Sequence, residues 1–153
     1  MSALELKIPP PVVVLILGVL MWLAPRVLPS LGFQVPGRSV AAAGIALAGL
    51  VAAVLGIISF RRARTTVDPR KPGETSSLVT VGVYKLTRNP IYLGDLAILA
   101  GWAIWLSNAI AFIFLPLFVL YINRFQIEPE ERALELKFGL AYTAYRSRVR
   151  RWL

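Results

Sequence analysis

The 153-residue sequence contains no cysteine and no histidine. Disulfides, thiolate nucleophiles, imidazole bases and the usual zinc ligand sets are excluded together. Charge is scarce too: 16% of residues are charged, with 8 acids against 17 bases. Proton transfer is left to a carboxylate or a tyrosine, and anions to arginine, lysine or backbone N–H groups.

Apolar residues fill the chain instead, at 57% of the total and a mean hydropathy of +0.66. A domain this small has too little interior to bury them all, so composition predicts an integral membrane protein. In order, Pro9-Pro10-Pro11 opens a first apolar span over residues 8–28. A signal peptide is the rival reading there, but no small-x-small cleavage pattern follows. A turn-rich loop leads to an Ala/Gly-rich second span over residues 39–60, where small residues allow close helix approach. Residues 61–89 form a polar loop, residues 90–106 a third span and residues 109–125 a fourth, with Ser107-Asn108 as a tight turn between antiparallel neighbours. Pro116 is expected to kink the fourth span. Residues 129–149 read as one amphipathic helix lying at the interface, with Leu134, Phe138, Tyr142, Tyr145, Val149 and Trp152 on one face. The fold class is therefore an all-α membrane bundle of four spans plus an interfacial helix, in a single domain.

The net charge of +9 follows the same pattern. Arg61, Arg62, Arg64, Arg70, Lys71, Lys85 and Arg88 precede the third span, while Arg124, Arg132, Lys137, Arg146, Arg148, Arg150 and Arg151 follow the fourth. The positive-inside rule puts both regions and both termini in the cytoplasm. The bases are then topological rather than a nucleic-acid footprint, and Arg148, Arg150 and Arg151 read as a surface for anionic headgroups.

The polar stretch from Leu78 to Gly94 stands out between the apolar halves. Asn89 suits an N-cap and Pro90 the first helical turn, so a polar loop feeds a buried helix start that favours an anionic group. The short hairpin between spans three and four returns the chain to this side, bringing Arg124 and the run Glu128-Pro129-Glu130-Glu131 close. Such a pocket suits a zwitterionic ligand: a carboxylate for an ammonium, Arg or N–H groups for a carboxylate, tyrosine for a flat base. Asp95, a turn inside the apolar third span, either pairs with a base such as Arg88 or serves the substrate.

Three motifs in order carry a family resemblance. Leu78-Val79-Thr80-Val81-Gly82-Val83-Tyr84, then Arg88-Asn89-Pro90-Ile91-Tyr92-Leu93-Gly94, then Glu130-Glu131 through Leu134, Phe138-Gly139, Tyr142 and Tyr145 resemble the membrane methyltransferases related to isoprenylcysteine carboxyl methyltransferase and phosphatidylethanolamine N-methyltransferase. The resemblance covers residues 65–153 and implies a prokaryotic member in a bacterial or archaeal cytoplasmic membrane, with the active site on the cytoplasmic face. It implies S-adenosyl-L-methionine as cofactor, contacted by Ser76, Ser77, Leu78, Val79, Gly82, Tyr84, Arg88, Asn89, Pro90, Ile91, Tyr92 and Glu130. Asn89 stands where the prenylcysteine enzymes have histidine, and Gln126 where they place a substrate-binding arginine.

Arg124, Glu131 and Asp95 are the candidate catalytic residues. A lipophilic carboxylate acceptor needs only a cation such as Arg124 to position it, which this residue set fits most easily. The alternative acceptor is a phospholipid amine or a small amine or thiol: an amine must be deprotonated, leaving Glu130, Glu131, Asp95 or a tyrosine to do so, and a thiol needs similar help. Tyr142 and Tyr145 read as packing residues. The rival from another class is a small membrane scaffold or lipid-binding protein of the same fold. A transporter is disfavoured by the few polar residues in the spans. The expected partners are the bilayer and a lipophilic acceptor, with no metal and no nucleic acid; the oligomeric state is left open.

Overall fold

The computed structural model describes residues 5–64 and 76–153, so Arg70 and Lys71, with the rest of the 65–75 loop, lie outside the described residues. Among the described residues six α-helices follow one another: α1 (Pro10–Val27), α2 (Arg38–Arg62), α3 (Pro90–Leu106), α4 (Ala109–Ile122), α5 (Glu128–Phe138) and α6 (Leu140–Arg148). No strand occurs among the described residues; Gly32 and Asn108 form an isolated bridge. α1 and α2 are each long and apolar enough to cross a membrane, as is the unbroken helical run Ala109–Phe138. α3 is apolar but has 17 residues, about 26 Å at 1.5 Å per residue, close to the roughly 30 Å hydrocarbon core. Leu15, Val40, Leu47, Ile113 and Leu120 point outward where lipid would meet them, while Met21, Leu99, Ala103, Ala111 and Phe118 pack inside between α1, α3 and α4.

α3 gains its place through α2. Gly49 lies against Gly94, Gly56 against Pro90 and Ile91, and Gly101 against Ala42 and Ala46, an antiparallel seam of small residues. A methyl group on Gly49 would sit 2.6 Å from the Gly94 carbonyl oxygen, so the two backbones touch. At one end of the bundle, Ser107 turns the chain with φ 49° and Asn108 caps α4 by accepting from the Ile110 N–H. Phe33 N–H donates to the Ser107 carbonyl at 2.9 Å, and Asn108 Nδ2 to that of Leu28 at 3.0 Å, which ties the two loops of that end together. The opposite end gathers the start of α1, the end of α2, the start of α3 and the α4–α5 junction.

Two boundaries differ from the sequence reading. The fourth span does not stop near residue 125: a π turn over Asn123–Ile127 carries the helix into α5, and Pro129 falls at the second residue of α5, where a proline is tolerated. The expected single helix over residues 129–149 is two helices. Gly139 adopts φ 50° and ψ −122°, a conformation open to glycine, and turns α6 off the line of α5. Ahead of α1, residues 5–9 form a strap fastened to the α4–α5 junction. Leu6 N–H donates to the Phe125 carbonyl at 3.0 Å, Gln126 Nε2 to that of Ile8 at 2.6 Å, and the buried Glu5 carboxylate meets Arg132 at 2.8 Å and Arg124 at 3.7 Å.

Candidate active site

A cavity of about 360 Å³ opens at the end where the strap, α2, α3 and α5 meet, within the roughly 300–1,000 Å³ of small-molecule sites. Its apolar wall comes from Pro10 and Pro11 of α1, Ala53, Ile57 and Phe60 of α2, and Ile127 and Leu134 beyond α4. Its polar side comes from the loop before α3, the first turns of α3 and α5, and two tyrosines of α6.

α3 sets the centre. Ile91, Tyr92 and Asp95 fall on one helical face and all line the cavity. Asn89 stands at the N-cap position, but its side chain does not cap the helix. It donates instead to the Arg151 carbonyl at 2.9 Å, while its own N–H is taken by Thr87 Oγ1 at 3.1 Å. With no side chain capping α3, the N–H groups of its first turn are left facing outward at a positive helix end.

The charges sort into two groups. Glu131 receives Arg88 at 3.1 Å and a two-bond contact from Arg151 at 3.1 and 2.6 Å, so its charge is matched. That contact also raises the Arg151 guanidinium further above its ordinary value. Glu130 instead accepts the Tyr92 hydroxyl at 2.5 Å and has no base beside it among the described residues. Asp95 has neither hydrogen bond nor ion pair among the described residues, and the salt bridge to Arg88 considered from the sequence is not formed, because Arg88 is held by Glu131. The Arg88 Nε–H is buried without an acceptor. Arg88, with its orphaned Nε–H, and two carboxylates that have no base beside them among the described residues all line the cavity.

Tyrosines close it over. Tyr145 donates to the Tyr84 carbonyl at 2.8 Å, Tyr142 meets Arg88 at 3.5 Å, and Tyr84 sets its ring edge-on to Phe60 with centroids 5.3 Å apart. Burial, reinforced by Tyr145 and Glu130, holds the Tyr84 phenol well above its ordinary value. Burial pushes Tyr142 up to about 12, and Tyr145 is raised chiefly by burial as well. These phenols stay protonated at neutral pH and serve as donors rather than bases.

A model of the phospholipid methyltransferase family matches residues 38–141, two thirds of the chain. The chain belongs to that family. It is similar to an uncharacterised protein of Haemophilus influenzae, 49% identical over 63 residues, which cover 41% of this chain and all of the other. It is also similar to protein-S-isoprenylcysteine O-methyltransferase B of Arabidopsis thaliana, 33% identical over 108 residues, 66% of this chain and about half (55%) of the plant protein. No solved structure matches the chain.

In this phospholipid methyltransferase family member, most of the residues singled out from sequence share the one cavity. Ser77, Leu78, Val79, Tyr84, Arg88, Asn89, Ile91 and Tyr92 line it, as do Asp95, Glu130 and Glu131. Four do not. Ser76 is exposed, with its hydroxyl on the Arg64 carbonyl at 3.2 Å. Gly82, at φ 63°, starts the 3₁₀ turn that presents Tyr84. Pro90 is buried against Gly56. Arg124 is half exposed and tied to Glu128 and Glu5, outside the cavity.

Sequence reading missed several contributors. Tyr142 and Tyr145, taken as packing residues, line the cavity because Gly139 swings α6 back over it. Arg151, read from sequence as part of a headgroup surface, is held at the edge of the site by Glu131 and by the Thr87 and Asn89 side chains on its carbonyl, with its side chain 32% exposed. The Tyr-x-x-Tyr spacing was the signal for the tyrosines; nothing local marks Arg151 among its neighbouring arginines.

Proposed function

We propose that the chain transfers a methyl group from S-adenosylmethionine to a lipophilic, membrane-delivered acceptor. The observation that carries the reading is a cavity lined by both Arg88, whose buried Nε–H has no partner, and Glu130, a carboxylate with no base beside it among the described residues. An amino-acid zwitterion satisfies both: Arg88 and the first-turn N–H groups of α3 hold its carboxylate, and Glu130 its cationic end. The Phe60–Tyr84 corner offers an aromatic surface for adenine. When bound, S-adenosylmethionine supplies an electrophilic methyl on a sulfonium. The residues of this chain hold and align the reactants and keep water out, effects that in well-oriented cases reach roughly 7–11 kcal/mol of barrier reduction. Tyr92 fixes the Glu130 carboxylate for its task, and Pro10, Pro11, Ile57 and Leu134 give the acceptor an apolar approach. Membership of a methyltransferase family and the plant relative support the same reaction class. Arg61, Arg62, Lys85 and Arg88 cluster at the cavity's end of the bundle, which by the positive-inside rule supports a cytoplasmic opening.

Isothermal titration of the detergent-purified protein with S-adenosylhomocysteine tests the reading. The wild type should bind. Glu130→Gln should bind about 10–100-fold more weakly, as losing a hydrogen bond to a charged group costs about 1.5–3 kcal/mol, with unchanged helical circular dichroism. Folded wild-type protein that repeatedly fails to bind would overturn the enzyme reading in favour of a scaffold.

A further inference from the structure

We infer that the strap of residues 5–9 is a positioning element of this site, with Glu5 and Gln126 as its positioning residues: it sets the α4–α5 junction and so holds Glu130 in place for the donor's cationic end. The inference rests on the methyl-donor reading above and adds to it a stretch outside the family match. The strap's bonds fall on positions that bracket Glu130. Arg124 and Arg132 meet the Glu5 carboxylate, the Phe125 carbonyl accepts the Leu6 N–H, and the Gln126 amide donates to the Ile8 carbonyl. Glu5, Leu6, Ile8 and Gln126 do not line the cavity, so they act on it only through what they hold.

The junction needs such support. An α-helical carbonyl accepts from the N–H four residues on, and for Phe125 that residue is Pro129, which has none. The helix passes this point through the π turn, where the Glu128 N–H reaches back five residues to the Asn123 carbonyl. Leu6 brings a donor to the Phe125 carbonyl from outside the helix, at 3.0 Å. It does so at φ 59°, a conformation that leucine rarely adopts and that its surroundings must hold. The Glu5 side chain is 3% exposed against 53% and 51% for Arg124 and Arg132, so the carboxylate is drawn inward and the arginines close over it. Arg124 carries the link on to Glu128, the first residue of α5, at 3.1 Å.

The strap also runs straight into Pro10 and Pro11, which line the cavity, as Ile127 and Glu130 do just past the bonded positions. It therefore ties the α1 wall to the α5 wall. Releasing it leaves Glu130 its bond to Tyr92 but not the frame behind it. Gln126 shows how the position is used in this chain: it is fully buried, its amide N–H₂ is spent on the strap, and its Oε1 has no partner. That orphaned oxygen is a cost to the fold, which separates the residue's positioning from any gain in stability.

Two ligands tell positioning from folding: S-adenosylhomocysteine, which carries the amino-acid end, and 5′-methylthioadenosine, which lacks it. Both are titrated calorimetrically into the full-length protein in detergent, and hydrogen exchange is followed by mass spectrometry. Glu5→Gln and Gln126→Met should each bind S-adenosylhomocysteine about tenfold more weakly, with methylthioadenosine affinity within about twofold of wild type. Without ligand, both variants should exchange faster over residues 123–131 and at wild-type rates along the α2–α3 seam. Equal losses for the two ligands overturn the inference, and so does a folded variant whose S-adenosylhomocysteine affinity is unchanged. Wild-type protein decides if neither variant folds. By linkage, saturating S-adenosylhomocysteine should slow exchange of the Leu6 amide and of residues 123–131, and no slowing overturns the inference. A wild type that binds no S-adenosylhomocysteine sinks the donor reading, whereas unchanged exchange over residues 123–131 in ligand-free Glu5→Gln sinks this inference alone.

Discussion

Glu130 and Glu131 are adjacent near the start of α5, just past the π turn that joins it to α4. Their surroundings separate them: Glu131 is clasped by Arg88 and Arg151, while Glu130 meets only a tyrosine hydroxyl. Truncating them should therefore fail in different ways. Glu131→Ala would leave Arg88, whose side chain is 10% exposed, as an uncompensated buried charge. Breaking such a pair costs about 3–5 kcal/mol, so the variant should unfold well before wild type in a thermal or SDS titration in detergent. Glu130→Ala, measured the same way, should move stability little and donor binding strongly. Equal stability for the two variants would remove the distinction. The Glu-Glu pair itself was legible in the sequence. That Glu131 is clasped by two arginines was not, since its partners lie far off at positions 88 and 151.

Elements are held here by the absence of side chains as much as by their presence. Gly94 ends the second motif, and it serves packing: a Cβ there would overlap the Gly49 carbonyl oxygen and sit 2.9 Å from the Ala53 methyl. Gly94→Ala should thus destabilise the α2–α3 seam by about 1–3 kcal/mol, the cost of overpacking, seen as a lower melting temperature. Gly44→Ala, with nothing within 4 Å, is the matched control and should melt like wild type. An unchanged melting temperature for Gly94→Ala would show that the seam yields. The spans and the Ser107-Asn108 turn were legible because hydropathy and turn chemistry are local properties. The break at Gly139 was not, because Leu134, Phe138, Tyr142 and Tyr145 keep one helical face whether or not the helix continues through the glycine. Its consequence, two tyrosines over the cavity, depends on where the α6 direction leads.

At the scale of the whole molecule, the family match over residues 38–141 supplies α2, α3, α4, α5 and the loop before α3, but both ends that complete the cavity lie outside it. The strap before α1 brings Pro10 and Pro11 to the wall. The segment after α6 returns to the loop before α3, where the Arg150 carbonyl accepts the Arg88 N–H at 3.0 Å and the Arg151 carbonyl accepts Thr87 Oγ1 at 3.1 Å and Asn89 Nδ2 at 2.9 Å. Trp152 adds a bond to Asn123 at the π turn, 3.1 Å long. The tail is thus a clasp joining α3 to the α4–α5 junction, the two halves of the site. Nothing in its own sequence tells this apart from a basic membrane-facing end, because the bonds run through backbone carbonyls that any residues would supply. Truncation after Val149 leaves every helix intact and removes the clasp. Helical circular dichroism should remain at the wild-type level while S-adenosylhomocysteine affinity falls about tenfold or more, equivalent to about 1.4 kcal/mol, because Arg88 and Asn89 lose the anchors that hold them toward the ligand. Arg151→Met, which removes the bonds to Glu131 but keeps the carbonyl anchors, should show a smaller loss. Affinity within twofold of wild type in the truncated protein would mean that the loop before α3 holds its shape unaided and that the clasp serves the fold alone.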